Sequence, residues 1–214
     1  MKVLVVGANG QIGKHVVEKL SKNNHVAKAM VRKIDQANEW KSKGIESVVA
    51  DLEGSVDEIV NAARDVEAII FTAGSGGGTS DDKTLLIDLD GAAKTIEAAE
   101  KLGIERFVMV SAFQANNREN WYEPLKPYYV AKHFADKQLL ASTLNYTIIR
   151  PGGLTNEPGT GTITIGENML AGSIPREDVA SVVVAALDDN RTYKKSFDLV
   201  SGSTSITNSI EQLS

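Results

Sequence analysis

The chain has 214 residues, 42% of them hydrophobic and 24% charged, which suits one water-soluble globular domain with a sizeable core. With 23 basic and 28 acidic side chains the formal net charge is -5, and no basic tract occurs, so a nucleic-acid partner is not expected. There is no cysteine, which excludes a disulfide framework, a thiol nucleophile and a thiolate metal site.

The apolar run at the N-terminus is shorter than the roughly 7–15 residues of a secretory core segment. No window approaches the roughly 18 apolar residues of a membrane span, so no membrane partner and a cytoplasmic location are the expectation. His15, His25 and His133 are far apart, and no His/carboxylate spacing suits a metal, so none is predicted.

Short β-rich runs alternate with helical patterns along the chain. Strands are predicted at KVLVV (2–6), HVAKAMV (25–31), SVVA (47–50), EAIIFT (67–72), RFVMVS (106–111) and YTIIR (146–150). Between the first two, Ile12, Val16, Val17 and Leu20 fall at helical spacing. Over 83–102, Leu85, Leu89, Ala92, Ile96 and Ala99 predict one apolar stripe on a long helix. Strands with two non-polar faces, separated by helices, predict an α/β fold with a doubly wound parallel sheet covered on both sides. Beyond Arg150 the turn-rich PGGLTNEPGTGTITIGEN leads to a short run at 162–165, a helix through Val179, Val182, Val183, Ala186 and Leu187, a strand at 196–201 and a terminal helix from about Ser205. The segment 151–214 is too short for an independent domain, so it is expected to add a small C-terminal substrate lobe over the carboxyl ends of the strands.

The stretch GANGQIG, from Gly7 to Gly13, lies between the first strand and the first helix. Gly7 suits the tight turn, Gly10 close approach of backbone to a diphosphate, and Gly13 close packing of helix on strand. With Asn9, Gln11 and Ile12 these residues are candidate cofactor contacts at the positive end of a helix. The second strand ends in Arg32 and Lys33, without the acid that usually holds a ribose 2′-OH, which favours NADP over NAD. Asp51 and Leu52 follow the third strand and Thr72, Ala73 and Gly74 the fourth, beside the expected cofactor. Asp51 suits either the adenine amino group or a turn. Pro151 fixes the exit from the sixth strand.

GANGQIG, MVRK, ADLEG, FTAG, RFVMVS, YYVAK and YTIIRPGGL stand in the order found in short-chain dehydrogenases/reductases. The glycine spacing resembles that of the extended, epimerase-like branch. The short C-terminal lobe is similar to that of the atypical NAD(P)-binding subgroup of epimerases and dehydratases, and in outline to biliverdin/flavin reductases and NmrA-like redox sensors. The resemblance covers nearly the whole chain and implies a Rossmann-type fold, an NADP or NAD cofactor, and hydride transfer with a small carbonyl or alcohol substrate. It implies Tyr-x-x-x-Lys chemistry for Tyr128 and Lys132, with Lys132 also on the nicotinamide ribose. Four residues apart on a helix, the two share a face, and the ammonium is expected to lower the phenol pKa. Ser111 stands near the family's carbonyl-polarising serine, and Asp88 stands where the family has asparagine. The same resemblance leaves a non-catalytic NADP sensor or a flavin reductase as alternatives. On the substrate side, Asn116, Asn117, Arg118, Trp121 and Tyr122 of the loop 113–127 are candidate contacts.

Overall fold

The computed structural model describes residues 1–213. In chain order the elements are β1 (Lys2–Val6), α1 (Gln11–Lys22), β2 (Val26–Val31), α2 (Ile34–Ser42), β3 (Glu46–Val49), α3 (Val56–Ala62) and β4 (Ala68–Phe71). Then come α4 (Asp81–Lys83), a π-helical stretch (Thr84–Asp90), α5 (Gly91–Leu102), β5 (Arg106–Val110), α6 (Lys126–Ala141) and β6 (Asn145–Pro151). The remainder is β7 (Gly153–Thr155), β8 (Thr162–Gly166), β9 (Ser173–Pro175), α7 (Arg176–Asp188), β10 (Lys195–Ser201), β11 (Thr204–Ser205) and α8 (Ile206–Glu211). All six early strands fall within a residue or two of where the apolar runs place them, because each run is bounded by turn residues that cannot extend it.

The main sheet has the order β11-β8-β10-β6-β5-β4-β1-β2-β3. From β3 to β10 every neighbouring pair is parallel, and β8 joins β10 antiparallel. Along β1, β4 and β5 successive side chains feed opposite layers. Val3, Val5, Ile70 and Val108 pack with Val16, Val17 and Leu20 of α1 and Val179, Val182 and Val183 of α7. Leu4, Ile69, Phe71, Phe107 and Met109 pack with Ile59 of α3, Ile96 of α5 and Leu139 of α6. Each such side chain, fully withdrawn from water, contributes about 1.5–3 kcal/mol.

The segment after Pro151 divides. β7 and β9 form a separate two-stranded pair, whereas β8, β10 and β11 extend the main sheet beyond β6. β10 reads as a strand because Phe197, Leu199 and Val200 are buried against that extension.

Over 81–102 the predicted stripe holds at Leu89, Ala92, Ile96 and Ala99, which pack into the core, and fails at Leu85. Leu85 is 48% exposed, and the buried positions are Thr84, Ile87 and Asp88, followed by Gly91, Ala92, Thr95, Ile96, Ala98 and Ala99. A periodicity argument assumes that polar residues face water. Here two polar residues point inward, at a π-helical stretch of the kind that often marks a functional position.

Arg106, at the start of β5, is buried, and its guanidinium donates to the backbone carbonyls of Ala186, Leu187 and Asn145 and to the hydroxyls of Thr147 and Thr192. It therefore places a cation at the negative end of α7 and ties that helix to the sheet. Burial pushes its pKa down to about 10, so it stays charged at neutral pH. Arg106→Met is expected to lower unfolding free energy by roughly 2–4 kcal/mol, because several buried acceptors lose their donor. A urea midpoint equal to that of the wild-type chain would contradict this role.

Candidate functional site: a cleft at the carboxyl ends of the strands

β1 and β4 are neighbours whose connections leave in opposite directions, the switch point at which open α/β sheets bind ligands. A cleft of about 830 Å³ opens there, of a size that takes a cofactor or small-molecule ligand.

The glycine turn forms its floor. Gly7 has φ +82°, and a Cβ there would lie 2.7 Å from the backbone of Ala73. The Gly7 carbonyl accepts the N–H of Gly10 at 2.9 Å, and a Cβ on Gly13 would meet that same oxygen at 2.2 Å. The turn therefore closes on one carbonyl, and only glycine at position 13 lets α1 begin there. Gly10 is the N-cap of α1 and offers no capping side chain, so the first N–H groups of the helix are left to a ligand. Gly7, Asn9, Gly10, Gln11 and Ile12 line the cleft, while Gly13 packs beneath them.

Further along, Arg32 lines the cleft at the end of β2, exposed, with no acid beside it on that strand. Lys33 does not reach it and instead starts α2, its N–H donating to the Gln36 side chain at 3.2 Å. Asp51 lines the cleft, but one of its oxygens accepts the Glu53 N–H at 3.0 Å, the turn role. Leu52, Thr72, Ala73, Gly74 and Pro151 also line it. Thr72 uses its hydroxyl on the Val6 carbonyl at 3.0 Å, and Gly74 passes so close to Asp88 that a Cβ would lie 3.1 Å from its oxygen. The glycines at 76–78 belong to this wall as well.

Ser111, Tyr128, Lys132 and Asp88 also line the cleft, from the end of β5, from α6 and from the π-helical stretch. Lys132 is buried, donates to the Val110 carbonyl at 3.0 Å and stands 3.8 Å from Asp88. Asp88 accepts the Ser75 N–H at 2.9 Å through one oxygen, and among the described residues its other oxygen and the buried Ser111 hydroxyl have no hydrogen-bond partner. Tyr128 is half-buried. Burial first, and the Asp88 carboxylate second, push its phenol pKa above the ordinary value. This corrects the expectation that Lys132 lowers it. The Lys132 charge is directed at Asp88 and Val110, and Asp88 opposes formation of a phenolate.

The loop 113–127 also departs from expectation. Asn116, Asn117, Arg118, Trp121 and Tyr122 do not line the cleft, and Pro124, Leu125 and Pro127 do. Trp121 instead stacks on Tyr129 at 5.9 Å and donates its indole N–H to the Ala115 carbonyl, which also bonds the buried His133 ring at 2.8 Å. Those aromatics brace the loop against α6. From the C-terminal segment Leu154 of β7, in the PGGLTNEPGTG run, reaches the cleft, as does Arg176 of α7, which the residue pattern did not single out.

The residues fit a dinucleotide. An uncapped helix start lies under a glycine turn too close-packed for side chains, and a buried hydroxyl and a carboxylate oxygen without partners line the same cleft. Residues 7–190 match the family model described as NAD(P)H-binding, and the chain belongs to that family. Within it, the chain is 58% identical to the uncharacterized sugar epimerase YhfK of Bacillus subtilis over 214 residues, all of both chains. A solved structure named as a candidate NAD-dependent epimerase/dehydratase from Bacillus halodurans is 42% identical and superposes with a TM-score of 0.94 over 99% of each chain. The oxidoreductase ylbE of Lactococcus lactis is 33% identical with a TM-score of 0.91, over 100% of this chain and 96% of that one. These relatives define an oxidoreductase- and epimerase-like, NAD(P)-binding family, in keeping with the resemblance to atypical short-chain dehydrogenases/reductases. Among the described residues no helix is long and apolar enough to cross a membrane.

Proposed function

We propose that the protein is an NADPH-dependent reductase of a small carbonyl substrate. The observation that carries this reading is the buried, unpartnered Ser111 hydroxyl in the cleft that Tyr128 and Lys132 also line. An unpaired buried hydroxyl costs about 1–3 kcal/mol, a cost that a substrate carbonyl accepting its hydrogen bond offsets. Bound NADPH supplies the hydride. Ser111 holds and polarises the carbonyl oxygen, and Tyr128 gives its phenolic proton to that oxygen as negative charge develops. Lys132 binds the nicotinamide ribose, and Asp88 balances its charge and orients it.

The raised Tyr128 pKa supports reduction over epimerisation, the chemistry in the name of the Bacillus subtilis relative. Oxidising an alcohol first requires a phenolate, whereas reduction uses a phenol that still holds its proton. Arg32 supports NADP over NAD, since a guanidinium holds a 2′-phosphate with paired charge-assisted bonds. The resemblance in outline to flavin reductases supports a second reading, reduction of a flavin, in which the proton comes from water and Tyr128 is dispensable. The test is NADPH oxidation by the purified chain against a panel of small aldehydes and ketones and, separately, FMN. Turnover of carbonyls supports the first reading and turnover of FMN alone the second. Binding of NADPH without either turnover overturns both and leaves a sensor.

A further inference from the structure

Three cations line the cleft: Arg32, Lys132 and Arg176. Lys132 is engaged by Val110 and Asp88, and Arg32 stands at the end of β2. Arg176 is the first residue of α7, half-buried, and its guanidinium donates to the Asn156 side-chain oxygen at 2.8 Å. Its acidic neighbours are occupied elsewhere. Glu177 accepts the Gly159 N–H at 3.1 Å and pairs with Lys19 of α1 at 3.3 Å, and Asp178 accepts the Thr160 and Gly161 N–H groups at 2.8 and 2.9 Å. Among the described residues no carboxylate pairs with Arg176, and its guanidinium keeps donors free for an anion in the cleft.

The position identifies the anion. The first turn of α7 lies along α1, where Glu177 meets Lys19 and feels the charge of His15, one turn beyond Gln11. α7 packs along α1 and begins at Arg176, and Arg176 lines the same cleft as Gln11 and Ile12 at the start of α1. We propose that Arg176 is a ligand of the cofactor diphosphate, clamping it from the C-terminal segment against the uncapped start of α1. The inference rests on cofactor binding in this cleft. It makes the segment from β7 to α7 part of the dinucleotide site, with Asn156 holding the guanidinium in place.

The test is titration of the full chain with NADPH, followed by nicotinamide fluorescence, for wild type, Arg176→Gln and Arg176→Lys. ADP, which carries a diphosphate, and 2′-AMP, which does not, serve as competitors. Arg176→Gln is expected to weaken NADPH and ADP about tenfold or more, to leave 2′-AMP within about twofold, and Arg176→Lys to recover part of the loss. Unchanged NADPH and ADP affinity overturns the proposal, including the case in which only a substrate KM rises. An equal loss for 2′-AMP also overturns it, because a diphosphate ligand does not act on a ligand without one. Failure of the wild-type chain to bind any of the three is the separate result that removes the cofactor reading itself.

Discussion

Replacing Tyr128 by phenylalanine is expected to lower kcat for carbonyl reduction by about 10²–10⁴-fold while NADPH affinity stays within about twofold. The ring keeps its place between α6 and the cleft, so the change removes one proton donor and little packing. The wild-type pH profile carries the matching expectation. Burial and Asp88 raise the phenol pKa, so the proton is retained through neutrality and is lost only above the ordinary value of about 10. The reductive rate is therefore expected to stay level between about pH 7 and 9. A fall across that window would mean a lowered pKa and would restore Lys132 as the dominant influence on the phenol. A Tyr128→Phe variant with unchanged carbonyl turnover would remove the tyrosine from the chemistry altogether.

Gly13→Ala is expected to have the largest effect on cofactor binding among substitutions in the turn. Its Cβ would stand 2.2 Å from the Gly7 carbonyl oxygen and 2.9 Å from the Ala8 Cα, both backbone atoms that cannot rotate away. α1 must then lift from the strand, carrying its free N–H groups out of register with the diphosphate. A weakening of NADPH binding by about 100-fold and a stability loss of about 1–3 kcal/mol are expected. Gly10→Ala meets the same oxygen at 3.1 Å, a contact relieved by a few tenths of an ångström, and its effect is expected to be several-fold at most. Equal losses for the two variants, by fluorescence titration and thermal unfolding, would show that the turn does not act through the Gly7 carbonyl.

Much of this architecture is legible in the residues because the signals are local. KVLVV, EAIIFT and RFVMVS are apolar on both faces and are bounded by glycine or turn residues, which suffices to define buried parallel strands. GANGQIG is legible for the same reason, since the strand, the turn and the helix are consecutive. Features that arise through distant partners were not legible. SFDLVS gives no sign that it pairs with β6, because strand order depends on where α7 packs. Over 83–102 the apolar periodicity selects Leu85, which is exposed, and passes over Thr84 and Asp88, which are buried because both bond to Ser75, a residue outside the helix. The motif at Tyr128 and Lys132 was readable from spacing, but its electrostatics depended on Asp88, about 40 positions away in sequence and adjacent in space. Arg176 did leave a faint trace. In IPRED an arginine stands just ahead of the two acids that mark the start of a helix, the helix end that lines the cleft.

The most direct test of the account is a paired titration with NADPH and NADH, on wild type and on Arg32→Ala. NADPH is expected to bind at least about tenfold more tightly than NADH, a margin of about 1.4 kcal/mol, and Arg32→Ala to abolish the margin by weakening NADPH alone. Equal binding of the two nucleotides by the wild-type chain, or a margin that survives loss of Arg32, would contradict it.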